Sequence, residues 1–136
     1  MDRRLAVTRT PLHSDKAPKA IGPYSQAIEV GGGRMVFLSG QTPIDPATGE
    51  LVAGDVRAQT ERAMENLREV LAAGGLDFSH VVRCGVFLVD MGDFAAMNEA
   101  YGRYFQGTPP ARTTVEVRGL PKGARVEIDC IAVTPD

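Results

Sequence analysis

The segment VVRCGVFLVD, residues 81–90, constrains the fold more than any other stretch of the chain. It is apolar at nearly every position, which is typical of a strand that is covered on both faces and lies inside a sheet. The segments before and after it, residues 55–73 and 93–105, instead repeat their apolar positions with a helical period. A strand flanked by two amphipathic helices predicts a sheet with helices packed against it.

Capping residues mark the boundaries of both helices. Asp55 can cap the first helix, and Gly74 with Gly75 can end it. Asp93 can cap the second helix in the same way. The predicted apolar faces contain Val56, Ala63, Leu67, Val70 and Leu71 in the first helix, and Phe94, Met97, Tyr101, Tyr104 and Phe105 in the second.

Alternating apolar residues predict further strands around this centre. Residues 24–30 and 34–40 are separated by glycines and are expected to form a hairpin, while residues 112–118 and 126–133 follow the second helix. The crossover through that helix should make the strands on either side of it parallel. We therefore predict an α+β fold, with a single mixed β-sheet of about six strands and two helices on one face.

The second face of this sheet has no helix to cover it. In the last strand the core positions are predicted to be Val126, Ile128, Cys130 and Ala132. In residues 112–118 the valines are assigned to the core, which puts Arg112 on the uncovered face together with Glu127. Glu127 and Asp129 share that face with the apolar Ile131. Because the face combines charged and apolar side chains, we expect it to be the interface of an oligomer; exposure to solvent is the alternative.

Length and composition favour one soluble domain. The 136 residues suit a single core, predicted to span residues 17–136, with an irregular extension at residues 1–16 that holds at most a short strand. A net charge of -2 argues against nucleic acid as a partner. No apolar run is long enough for a membrane span, and the N-terminus lacks the apolar core of a signal peptide, so a cytoplasmic location is expected. Cys84 and Cys130 are expected to be buried free thiols, and no metal site is expected.

Arg112 is the first candidate for function. It begins a β-branched strand directly after two prolines and an alanine, in PPARTTVEV. Prolines restrict the backbone and so can hold the guanidinium in the fixed geometry that two-point binding of a carboxylate requires. An ordinary surface arginine at the start of a strand is the alternative.

Four other polar residues are weaker candidates. Glu127 could hold a water molecule as a general base does, or form an ion pair with Arg118 or Arg125. Tyr24 follows a Gly-Pro turn and could be a packing residue. Ser39 has no histidine partner for a catalytic triad. Asn98 could simply bind a backbone group.

Several motifs, in this order, resemble the RidA/YjgF family of reactive-intermediate deaminases. They are GPYSQA, SGQTPIDPATGE, QTERAMENL, AGGL, VFLVDMGDFAAMNEAYGRYF, PPARTTVEV and LPKGARVEIDCIAV. Together they cover about residues 17–134. The resemblance implies a chorismate-mutase-like fold and a trimeric, barrel-like assembly with pockets between neighbouring subunits.

The resemblance also implies an activity without a cofactor or metal. Family members hydrolyse 2-imino acids such as 2-iminopropanoate and 2-iminobutanoate to 2-oxo acids and ammonia. The imines arise from enamines that pyridoxal-phosphate-dependent dehydratases release from serine or threonine. A non-enzymatic, oxoacid-binding or chaperone-like trimer is the alternative, and an endoribonuclease is the third reading.

The family's functional residues match positions in this chain one by one. Arg112 matches the carboxylate-binding arginine, and Glu127 the glutamate that holds the attacking water. Tyr24 and Ser39 match the tyrosine and serine of the pocket. Thr114 replaces a cysteine found in many members, so a thiol role is not expected, although its backbone N–H could bind substrate. The weaker matches are Asn98 and Arg68.

Overall fold

The computed structural model describes residues 8–135. Within that range the chain is a mixed α+β protein with two α-helices, as predicted. No helix there is long and apolar enough to span a bilayer. The elements are β1 (Thr8–Leu12), β2 (Ala27–Gly31), β3 (Arg34–Gln41), β4 (Ile44–Asp45), β5 (Glu50–Leu51), α1 (Val56–Ala73), β6 (Val81–Leu88), α2 (Phe94–Gly102), β7 (Ala111–Glu116) and β8 (Val126–Thr134).

The main sheet has four strands in the order β3-β8-β6-β7. β6 lies inside the sheet, which confirms the position predicted from its apolar pattern. β6 and β7 are parallel, as the crossover through α2 predicts, while β8 runs antiparallel to both of its neighbours. Two smaller sheets, β1-β2 and β4-β5, lie beside the main one.

The predicted caps are confirmed for α1 and differ for α2. The Asp55 side chain accepts a hydrogen bond from the Ala58 N–H at 3.1 Å, and α1 ends at Gly74. Asp93 stands at the N-cap position of α2 but makes no capping hydrogen bond with its side chain. Its carboxylate instead accepts hydrogen bonds from Nε and Nη2 of Arg125 at 2.8–3.2 Å. A two-point ion pair is stronger than a cap, and this one ties the start of α2 to the strand β8.

The core lies between the helices and one face of the main sheet. Ala63, Met64, Leu67 and Leu71 of α1 are buried, and the predicted core positions Val126, Ile128, Cys130 and Ala132 of β8 are buried as well. Val70 is the exception to the predicted helical stripe, since its side chain is 45% exposed.

The N-terminal strands differ from the prediction. β2 pairs with β1, and β3 pairs with β8 rather than with β2. The main sheet therefore has four strands where about six were predicted. The region 1–16, predicted to be irregular, contributes β1; the part of the possible strand at 5–9 that precedes residue 8 lies outside the described residues. β8 offers β3 a buried apolar neighbour along its length, which a pattern read locally does not reveal.

The two faces of β7 are the reverse of the prediction. Arg112 is paired with Cys84, and residues paired across strands share a face of the sheet. Cys84 is buried against the helices, so Arg112 lies on the helix-covered face, and Val115 is the residue left 39% exposed on the other. The assignment of Arg112 and Glu127 to one uncovered face was wrong.

Cys84 and Cys130 are buried free thiols, as predicted, and they are paired with each other across β6 and β8. Burial raises the pKa of Cys84 to about 12 and raises that of Cys130 as well. Since the thiolate is the reactive form, we expect an aromatic disulfide reagent at neutral pH to label neither cysteine in the folded protein. In denaturant it should label both. Rapid labelling of the folded protein would contradict this burial.

Candidate active site

A bridge between two loops fixes the backbone that carries Arg112. The Ser25 hydroxyl donates to the Pro109 carbonyl at 2.6 Å, and the Ser25 N–H donates to the Pro110 carbonyl at 3.1 Å. Ser25 also forms a parallel bridge with Ala111. The Gly-Pro-Tyr-Ser corner and the Pro-Pro-Ala-Arg segment therefore form one unit, which places Tyr24 beside Arg112.

The Arg112 guanidinium is surrounded by aromatic rings. Its Cζ atom lies 5.2 Å from the ring centroid of Tyr24, 5.7 Å from that of Phe94 and 5.0 Å from that of Tyr101. The side chain is half-buried, and burial lowers the pKa of the guanidinium. Among residues 8–135 no carboxylate pairs with it; its one polar contact is with the Met97 sulfur at 4.0 Å. A half-buried cation without a counter-ion is a strong attractor for a small anion.

A pocket of about 200 Å³ opens onto this guanidinium. It is lined by Ile21, Tyr24, Phe94, Arg112 and Thr114. The Thr114 hydroxyl oxygen is buried and has no hydrogen-bond partner within the described range. The Tyr24 hydroxyl is engaged, since it accepts the Ile21 N–H at 3.2 Å. The pocket thus offers a cation, apolar walls and an unused hydroxyl, which together suit a small carboxylic acid.

Asn98 adds a second unused polar group next to the pocket. Its Oδ1 atom is buried and has no hydrogen-bond partner among residues 8–135. The alternative, in which Asn98 binds a backbone group, therefore does not hold for this oxygen. Gly22 makes room for it: a Cβ atom there would lie 3.1 Å from Asn98 Nδ2 and 3.3 Å from Arg112 Nη2. The glycine therefore allows its loop to approach the site closely.

Glu127 and Ser39 lie on the opposite face of the sheet. Glu127 is paired with Phe87 and alternates with the buried Val126 and Ile128, so its side chain points away from the helices. It forms no ion pair with any described residue, and the predicted partner Arg125 binds Asp93 instead. The glutamate lies against Gly40, whose neighbour Ser39 is exposed.

The predicted site residues therefore form two separate groups. Arg112, Tyr24, Thr114 and Asn98 lie on the helix-covered side, while Glu127 and Ser39 lie on the uncovered side. One sheet layer separates the groups, so a single subunit does not bring the arginine and the glutamate to the same small molecule.

Arg68 belongs to neither group. It lies near the end of α1, pairs with Glu65 at 3.0 Å, and stands over the rings of Tyr104 and Phe78. Arg68 is not among the residues that line the Arg112 pocket, and its assignment to the site stays a prediction.

Sequence reasoning missed the aromatic and glycine parts of the site. Phe94 and Tyr101 were assigned to the core as part of a helical stripe, which is correct for their backbone positions but hides their contact with Arg112. Gly22 and Gly40 carry no chemical group, so only their neighbours in space reveal their roles. No three His, Cys, Asp or Glu side chains of the described chain cluster as metal ligands would.

Gly40→Ala should displace Glu127. An added Cβ would meet the Glu127 carboxylate directly, and the nearest side-chain carbons as well. If Glu127 positions a reactant, we expect activity to fall about ten- to a hundredfold, since small misplacements at a reacting centre have effects of that size. Gly119→Ala is the matched control, because no atom lies within 4 Å of a Cβ there. If both variants have equal activity and equal unfolding free energies, Glu127 does not position a reactant.

The model of the family described as Endoribonuclease L-PSP matches residues 14–134 of the chain. The protein named Protein DfrA, from Myxococcus xanthus, is 68% identical over 132 residues, which are 97% of this chain and 99% of that protein. The 2-iminobutanoate/2-iminopropanoate deaminase of Mus musculus is 48% identical over 128 residues, or 94% and 93% of the two chains. The crystal structure of E. coli TdcF with bound serine superposes with a TM-score of 0.71 at 41% identity, covering 92% of this chain and 98% of that one.

Proposed function

The chain belongs to the Endoribonuclease L-PSP family, which is also the YjgF/RidA family, and from this premise we propose that it hydrolyses small 2-imino acids to 2-oxo acids and ammonia in the cytoplasm. The observation that carries the proposal is the half-buried Arg112, which faces a small pocket without a carboxylate partner among the described residues. Relatives named as 2-iminobutanoate/2-iminopropanoate deaminases support the reaction class.

Arg112 binds the carboxylate of the imino acid. Its planar fork donates to both carboxylate oxygens, and the aromatic rings of Tyr24, Phe94 and Tyr101 prevent it from turning away. The substrate's short side chain packs against the apolar walls. The hydroxyl of Thr114 and the amide oxygen of Asn98 are the unused groups within reach of this end of the site.

Hydrolysis then needs one water molecule at the C=N carbon. Glu127 holds this water and takes a proton from it as the oxygen bonds to carbon. The protonated Glu127 then gives that proton to the nitrogen, which completes the carbinolamine and restores the carboxylate. The carbinolamine loses ammonia as its hydroxyl becomes the new carbonyl. Since an imine is already electrophilic, positioning supplies most of the acceleration.

The site is assembled between subunits of a homotrimer. This arrangement explains how residues on opposite faces of one sheet can act on one molecule: Arg112 comes from one subunit and Glu127 from its neighbour. The uncovered face supports it, because Phe37 is 69% exposed there and Val115 is 39% exposed. Large apolar side chains on a sheet face are typical of a surface that a partner covers.

Imine consumption tests the proposal. A threonine or serine dehydratase generates the imine, and the formation of oxoacid is followed with and without this protein. We expect the wild type to accelerate the reaction, and Arg57→Gln to do so equally, because Arg57 lies on the outer surface of α1 and pairs with Glu99. No acceleration by a correctly folded protein would overturn the proposal and favour an oxoacid-binding protein without enzymatic activity.

A further inference from the structure

A second cavity of the described chain lies away from the Arg112 pocket. Its volume is about 480 Å³, and its lining shares no residue with that pocket. It is formed by β1, the C-terminal ends of both helices and the turn after α1. Three arginines line it, namely Arg9, Arg68 and Arg103, and the one lining acid is Asp77. Arg9 has no carboxylate partner in the described chain, and its uncompensated charge favours an anionic ligand.

Arg9 is held in place by neutral groups. Its Nε and Nη2 atoms donate to the Val81 carbonyl at 3.1 and 3.0 Å, and Nη1 donates to the Thr108 carbonyl at 2.9 Å. These bonds fix the plane of the guanidinium but do not neutralise its charge, and no described carboxylate pairs with it. Burial lowers the pKa of this guanidinium, which an anion in the cavity would offset.

Arg68 and Arg103 can turn to a ligand at little cost. Arg68 pairs with Glu65, and Arg103 pairs with Glu61 and Glu99. Their side chains are 52% and 59% exposed, and solvent-exposed ion pairs of this kind contribute little. Asp77 competes only weakly with a bound anion for these arginines. Its carboxylate already accepts a hydrogen bond from the Ser79 N–H at 2.8 Å.

The floor of the cavity is aromatic. Phe78 and Tyr104 meet edge to face at a centroid distance of 5.4 Å, and Phe78 also contacts Phe105 at 5.5 Å. The Arg68 guanidinium lies 5.1 Å from the Tyr104 ring centroid. The cavity is larger than inorganic phosphate requires, so it has room for a flat organic group on these rings.

We propose that this cavity is a second ligand site, which binds a small phosphate monoester that carries an aromatic ring. The phosphate lies between the guanidinium groups of Arg9, Arg68 and Arg103, and the ring packs against Phe78 and Tyr104. Guanidinium groups suit phosphate because their paired N–H groups match two of its oxygens. A monoester can carry two negative charges, which can replace the glutamates as partners of Arg68 and Arg103. The site is independent of the deaminase reaction.

Calorimetric titration with phenyl phosphate and with inorganic phosphate, at constant ionic strength, tests the site. We expect saturable binding of phenyl phosphate to the wild type, tighter than that of inorganic phosphate. Arg68→Gln combined with Arg103→Gln should weaken it at least about tenfold, as the loss of charge-assisted hydrogen bonds implies. Both changes are at exposed positions, so the variant should keep the unfolding free energy of the wild type.

Two controls locate the binding. Arg118→Gln removes an exposed arginine that does not line the cavity, and Arg112→Ala removes the cation of the other pocket. We expect phenyl phosphate to bind both variants as it binds the wild type. The proposal is overturned if phenyl phosphate does not bind, if the double variant binds it equally well, or if Arg112→Ala abolishes binding. Equal affinity for the two probes would overturn the aromatic part of the assignment.

Discussion

Arg112→Ala should lower the apparent kcat/KM for imine hydrolysis by about one to two orders of magnitude. Charge-assisted hydrogen bonds contribute about 1.5–3 kcal/mol, which corresponds to a loss of that size when they are removed. Arg112→Lys keeps the charge but not the planar fork, and its activity should lie between those of the wild type and the alanine variant. The dehydratase-coupled assay measures all three proteins.

The same position should have a small effect on stability. Arg112 is half-buried without a described carboxylate partner, so its folded-state charge is poorly compensated. Arg112→Met keeps much of the packing against Tyr24, Phe94 and Tyr101 while it removes this charge. We expect its unfolding free energy to be within about 1 kcal/mol of the wild-type value, or above it. A large destabilisation together with full activity would show that Arg112 is a structural residue.

Chains with Arg112→Ala and chains with Glu127→Gln should restore activity when they are mixed. In a cyclic trimer whose sites each take Arg112 from one subunit and Glu127 from the next, every mixed trimer contains one intact site. Random assembly of equal amounts makes about three-quarters of the trimers mixed, so the refolded mixture should show about one quarter of wild-type activity. Each variant alone should be nearly inactive.

The mixing experiment has an internal control. The two variant trimers combined without unfolding, and assayed before subunits exchange, should remain as inactive as their components. If the refolded mixture is also inactive although mixed trimers form, the two residues do not act from neighbouring subunits, and the proposed assembly of the site is wrong. Arg112 and Glu127 lie on opposite faces of the sheet in one chain. The experiment tests whether they act together from neighbouring subunits.

Local patterns predicted most of the backbone. The period of α1, its cap at Asp55 and its end at Gly74 all depend on residues within a few positions of one another, so they could be predicted without the fold. The same holds for the interior position of β6 and for the alternation of β8, because strand positions that face the core are occupied by apolar residues.

Long-range pairing could not be predicted in this way. β2 pairs with β1 rather than with β3, because β3 lies against the apolar strand β8. Arg9 illustrates the same limit, since it binds carbonyls 72 and 99 residues further along the chain. No local pattern in Thr8–Leu12 reports these partners.

The sequence by itself determined the two helices, the central strand, the core face of β8 and the identity of Arg112 and Glu127 as the charged candidates. Only the tertiary structure decided which face of the sheet Arg112 occupies. Alternation divides the residues of β7 into two sets but does not label either as buried, and the valines suggested the wrong one. The parallel register with β6 and the bridge from Ser25 to Ala111 settle the choice, and they place an arginine under the helices and a valine outside.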